Sequence, residues 1–112
     1  MKAFKIDSIA KYLDRPGFTG TFVHTDQVTL AHWIIEKGTL LARHEHPQEQ
    51  ITYVLSGKMG FDTPDGQVVL GPGEGMAFEG GEPHQGTALE TSVLLDVFCP
   101  VREDFREAMK GK

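Results

Sequence analysis

The sequence predicts an all-β domain, an antiparallel barrel or jelly roll with short terminal helices. Three observations carry this expectation. About eight short runs rich in β-branched and aromatic residues follow one another at regular spacing. Thirteen glycines and six prolines provide tight turns between them. Helical patterning occurs only near the two ends. At 112 residues the chain can bury one core and no second, so a single domain over residues 1–112 is expected, with its barrel at about 18–99.

In chain order, residues 8–13 read as a short helix capped by Asp7 or Ser8. Residues 21–25 and 28–35 are strand-like runs divided by Asp26 and Gln27, which makes a hairpin. Glu36, Lys37 and Gly38 mark a turn. Residues 51–55 form a strong strand stopped by Ser56 and Gly57, and residues 58–62 alternate with the period of a half-buried strand. A turn from Thr63 to Gly66 leads into residues 67–70. The Gly71, Pro72, Gly73 turn leads into a short strand at 76–78. Residues 91–98 are the last long apolar run, interrupted only by Asp96. After Pro100, residues 101–110 read as a helix, with acids early and Gly111 at its stop.

Composition narrows the function. The net charge of −5 comes with no basic cluster, which argues against nucleic acid and anionic membrane surfaces as partners. No apolar run approaches the roughly 18 residues of a membrane span. The first residues mix charged and apolar side chains, without the apolar stretch of a secretory signal, so a cytoplasmic location is expected. A single cysteine, Cys99, rules out an internal disulfide, agrees with a reducing compartment and has no nearby histidine to activate it.

Three histidines fall in turn-rich regions. His44 and His46 are two apart, so an extended backbone would point both to one side. Gln50 shares their parity and Glu49 does not. His84 follows Gly80, Gly81, Glu82 and Pro83, and can close a site from another strand. An H-x-H pair by itself is more often a surface feature than a metal site. The spacing adds weight. Gly38, His44, His46, Gln50 and Gly57 resemble the first cupin motif, G-x5-H-x-H-x3-E-x6-G. Gly73, Glu79, Gly81, His84 and Ala88 resemble the second, G-x5-P-x-G-x2-H-x3-N. Gln50 stands in the place of the acidic ligand, Glu79 in that of the proline and Ala88 in that of the asparagine. The resemblance implies a cupin double-stranded β-helix holding a divalent ion (Zn, Ni, Mn or Fe(II)) through His44, His46, Gln50 and His84. Three neutral imidazoles and a carboxamide would leave the 2+ charge uncompensated, favouring Lewis-acid chemistry over dioxygen activation. Gln50 can also be read as a hydrogen-bonding residue behind a three-histidine site.

Asp96 is the second chemical candidate. On a strand it shares a face with Leu94 and Phe98, and a carboxylate among apolar neighbours must be paired or face a polar cavity. Near a cation it is a candidate acid or base; on a sheet edge it would pair with a surface lysine. The run from Leu95 to Phe105 and the run from His44 to Gly57 are similar to small KdgF-type pectin-degradation cupins. That resemblance implies metal ligation by three histidines and the glutamine, and a site completed by Asp96, Phe98 and Arg102. It also implies an anionic small-molecule substrate, since the family opens 4,5-unsaturated monouronates to linear 5-keto-4-deoxyuronate. A homodimer is expected from the same resemblance and from the edge strands that a jelly roll leaves. Two other functions fit the motifs, a non-catalytic metal or metabolite binder and an Fe(II) dioxygenase. His24 and His32 read as ordinary strand residues, and Arg43 as exposed.

Overall fold

The computed structural model describes residues 1–112. Nine strands follow one another: β1 (Phe18–His24), β2 (Thr29–Ile35), β3 (Leu40–His44), β4 (Glu49–Ser56), β5 (Met59–Thr63), β6 (Gly66–Leu70), β7 (Gly75–Phe78), β8 (His84–Ala88) and β9 (Ser92–Cys99). One helix, α1 (Glu103–Ala108), closes the chain. The strands make a five-stranded sheet ordered β1-β2-β9-β4-β7 and a four-stranded sheet ordered β3-β8-β5-β6, antiparallel throughout. Two face-to-face sheets of this order form the jelly roll. No helix is long and apolar enough to cross a membrane.

Period-2 alternation fills the interior. On β2, Ala31, Trp33 and Ile35 point inward; on β4, Gln50, Thr52 and Val54; on β9, Leu94, Asp96 and Phe98. Thirteen buried apolar residues make the core, including Phe18, Phe22, Met59 and Phe61. The Asp26–Gln27 hairpin closes with His24 opposite Thr29, while Thr25 Oγ1 accepts the backbone N–H groups of Gln27 and Val28.

The chain departs from the sequence expectation in four places. Instead of a helix over residues 8–13, there is one 3₁₀ turn (Ile6–Ser8), and Tyr12 is extended, exchanging backbone hydrogen bonds with Gly20 at 2.7 and 2.9 Å. Packing overrides local propensity here, because the Tyr12 ring lies against Phe22, Trp33 and Phe105. That approach needs Gly20, where a Cβ would stand 2.6 Å from the Trp33 ring. β1 begins three residues earlier than the predicted strand at 21, while β3 and β8 lie where the histidines suggested extended backbone but periodicity marked no strand. The C-terminal helix is shorter than 101–110, beginning only after Arg102.

Candidate metal centre

His44 and His84 stand directly opposite each other, at the end of β3 and the start of β8. His46 lies just beyond β3, in the turn that leads into β4, where Gln50 faces inward. The loop before β8 is drawn onto this turn by the Gly81 N–H, which donates to the His46 carbonyl at 2.7 Å. Gly80 makes the approach feasible, since a Cβ there would sit 2.3 Å from the Pro47 carbonyl oxygen. The nitrogens of His44, His46 and His84 come within 4.8 Å of one another.

Each ring is held by a backbone carbonyl. The Nδ1–H groups of His44, His46 and His84 donate to Ala42, Gln48 and Glu82 at 2.9, 3.1 and 3.0 Å. A carbonyl only accepts, so Nδ1 carries the proton and each Nε2 keeps its lone pair, the tautomer that metal-binding imidazoles adopt. Burial lowers the pKa of all three below the ordinary histidine value, which favours the neutral ligand form. The donor set then fits a cation. His84 Nε2 is buried without any hydrogen-bond partner. The His46 Nε2 and Gln50 Oε1 atoms meet at 2.9 Å, lone pair against lone pair. That separation is close to the roughly 3 Å expected between neighbouring ligands of one ion held at about 2.1 Å. Phe78 and Phe98 pack against His84 and His46, at ring-centroid distances of 4.5 and 5.5 Å.

Between the sheets, a cavity of about 80 Å³ is lined by His44, Gln50, Thr52, Asp96, Phe98 and Arg102, with Trp33 and other apolar side chains. Asp96 is buried on β9 opposite Thr52 of β4, and accepts the Thr52 hydroxyl at 2.7 Å. Burial pushes its carboxyl up to about 6, against the opposing pull of hydrogen bonding by Thr52, Gln50 and Trp33 and of the Arg102 charge. Arg102, only 11% exposed in its side chain, lies 4.6 Å from the Phe98 ring centroid and 3.9 Å from that of Phe105. Its Nε and Nη2 donate to both carboxylate oxygens of Asp104.

His44, Gln50, Asp96, Phe98 and Arg102 thus line one cavity, and His46 and His84 stand beside His44 in the histidine cluster. His24 bonds Thr29 Oγ1 and His32 sits on the other face of β2, so neither joins them. Arg43 is exposed. Sequence reasoning missed Thr52, Asp104 and Gln48. Thr52 shares the parity of Gln50, a signal present in the sequence. Asp104 was legible only as a first-turn acid of the helix. Gln48 links two parts of the site, since its carbonyl holds His46 while its amide donates to the Val101 carbonyl at 3.3 Å.

Comparison with known proteins gives the same architecture. A family model described as Cupin domain matches residues 31–98. No curated protein matches by sequence. Among solved structures, KdgF from Halomonas sp. aligns with a TM-score of 0.87 and 25% identity, covering 93% of this chain and 99% of that one. An RmlC-like cupin from Shewanella frigidimarina aligns at 0.85 and 20% identity, covering 94% and 96%. The polyketide cyclase RemF from Streptomyces resistomycificus aligns at 0.75 and 24%, covering 91% and 80%. At those identities the last two likenesses concern the fold alone.

Proposed function

Since the chain belongs to the cupin family, we propose that it is a metal-dependent enzyme that opens 4,5-unsaturated monouronates to linear 5-keto-4-deoxyuronate. The observation that carries this reading is the line of contacts from the histidine cluster through Gln50 and Thr52 to the buried Asp96. A carboxyl able to exchange a proton near neutral pH thus shares a cavity with His44 and Gln50, two members of the metal-donor set. The likeness to KdgF over nearly the whole of both chains supports the sequence resemblance from which the substrate class is taken.

His44, His46, His84 and Gln50 would hold a divalent ion, which would supply Lewis-acid chemistry toward substrate oxygen. The rest falls to the chain itself. Asp96 takes the proton of the anomeric hydroxyl as C1 becomes an aldehyde and the bond from C1 to the ring oxygen breaks. The ring oxygen remains on C5 as an enolate, and the proton returns at C4, leaving a ketone at C5. One proton leaves oxygen and one arrives at carbon, so the reaction is an isomerisation that needs no second reactant. Arg102 offers the substrate carboxylate the Nη1 end of its guanidinium, the end that Asp104 leaves free. Phe98 gives the ring an apolar floor.

The assay is loss of ultraviolet absorbance from the conjugated double bond of unsaturated galacturonate, measured against its spontaneous opening. Wild-type protein loaded with Zn, Ni, Mn or Fe(II) is expected to accelerate it. Failure to exceed the spontaneous rate with all four ions overturns the proposal.

A further inference from the structure

A carboxamide is an unusual partner for three imidazoles because its two ends differ. Only Oε1 has lone pairs to offer a cation, whereas Nε2 offers two N–H groups and would repel it. A glutamate in the same place needs no such sorting. The site must therefore fix which way the Gln50 amide points.

The hydrogen bonds around Thr52 have one direction. Thr52 is fully buried on β4 and stands opposite Asp96 on β9. Its hydroxyl has a single proton, donated to Asp96 Oδ1 at 2.7 Å. Oγ1 is then left with lone pairs, and it accepts the Gln50 Nε2–H at 2.8 Å. Rotating the amide by half a turn would set Gln50 Oε1 against Thr52 Oγ1 with no proton between them, and a buried unpaired contact of that kind is strongly disfavoured. The same rotation would aim N–H groups at His46 Nε2, where Oε1 now lies at 2.9 Å.

We infer that Thr52 is a positioning residue of the metal centre, which uses Asp96 as its anchor to hold the Gln50 carbonyl oxygen toward the histidines. The arrangement is a carboxylate–hydroxyl–carboxamide relay, and it serves the glutamine as a carboxylate serves a metal-bound histidine. Thr52 acts by denying the amide its other orientation. The inference rests on the metal centre proposed above.

Co²⁺ titration tests it, read by calorimetry and by the visible spectrum of the bound ion. Thr52→Val keeps the shape and removes the hydroxyl. Thr52→Ala and Thr52→Ser lose the same methyl group, so they differ from each other in the hydroxyl alone. Removing the hydroxyl should weaken Co²⁺ binding by roughly 10–100-fold, the range for loss of a partner behind a metal ligand, while Thr52→Ser stays within about threefold of wild type. The Co²⁺ spectrum of Thr52→Val should shift toward that of Gln50→Ala, and Thr52→Ser should keep the wild-type spectrum. Val and Ala variants that match wild type in affinity and spectrum overturn the inference, as does a Ser variant as weak as Ala. Wild-type protein that binds no Co²⁺ overturns the metal centre itself, and this inference with it.

Discussion

The Arg102 guanidinium already holds a carboxylate. Asp104 Oδ1 accepts from Nε at 2.9 Å and Asp104 Oδ2 from Nη2 at 2.7 Å, a two-pronged contact between residues two apart in sequence. Arg102 lines the cavity while the Asp104 side chain is 59% exposed, so the acid grips the arginine from outside. The Nε/Nη2 edge of the guanidinium is thus taken, and three N–H donors on Nη1 and Nη2 remain.

From this follows an effect on substrate affinity. Asp104→Asn keeps the shape but one acceptor in place of two, so the fork can swing between Phe98 and Phe105. KM should rise about tenfold, equivalent to about 1.4 kcal/mol, with kcat within about twofold of wild type. Arg102→Lys should raise KM further, since lysine keeps the charge but loses both the fork and the aromatic stacking. Steady-state kinetics on unsaturated galacturonate separate the two parameters. A fall in kcat at unchanged KM would show that Asp104 does not orient a binding group.

The same pair sets a pH response. Hydrogen bonds from Arg102 hold the Asp104 carboxyl below its ordinary value, so its proton binds more weakly in the folded chain than in the unfolded one. The contribution is therefore fully present above about pH 4 and is lost as the pH falls through the folded value. Exposure to solvent keeps it small. The readout is the Arg102 Nε–H chemical shift, which should hold steady down to about pH 4 and move only as the pH falls below the ordinary carboxylate range, through the folded Asp104 value. In Asp104→Asn that titration should be absent.

For the metal centre, His44→Ala or His84→Ala should remove most bound ion while the barrel still folds. None of the three histidines belongs to the apolar core, and the strands that carry them are tied by backbone pairing. Elemental analysis and circular dichroism measure the two halves of this expectation. Full metal occupancy in the double variant would dissociate the histidine cluster from metal binding. Gln50→Glu should keep the ion but slow turnover, because a carboxylate partly neutralises its charge.

Most of the barrel was legible because its strands follow simple periodicity, and what was missed has a physical reason in each case. β5 alternates along its length and β6 is bounded by glycine turns. β4 and β9 are apolar on both faces: Ile51, Tyr53, Leu55 and Val97 are exposed while Val54, Leu94 and Phe98 are buried. They read as continuous runs, yet remained visible through their length. β3 and β8 have no such signal. Leu40 is exposed in β3, and β8 reads His84, Gln85, Gly86, Thr87, Ala88, because these strands carry ligands and close contacts rather than a hydrophobic face. The histidines and Gln50 were found through spacing, which survives when periodicity does not. Thr52 and Asp104 escaped because each acts through a neighbour. Only the fold shows that Thr52 faces Asp96 across two strands separated by 44 positions in sequence.

Asp96 separates an enzyme from a binder. Its inward face was legible from parity with Leu94 and Phe98, and the cavity gives that parity a purpose. Burial disfavours the ionised carboxyl, while the Thr52 hydroxyl, the Gln50 amide and the Arg102 charge support it, so both protonation states are within reach near neutral pH. Asp96→Asn keeps the size and can still accept the Thr52 hydroxyl, but it has no exchangeable acid proton. Metal content and thermal midpoint should stay near wild type, and kcat should fall by roughly 10²–10⁴, the range for losing one positioned acid–base group. In deuterated solvent the wild-type product should carry deuterium at C4, the position that the returning proton takes. An Asp96→Asn variant with wild-type kcat would remove Asp96 from proton transfer, and the metal centre would have to act with another base.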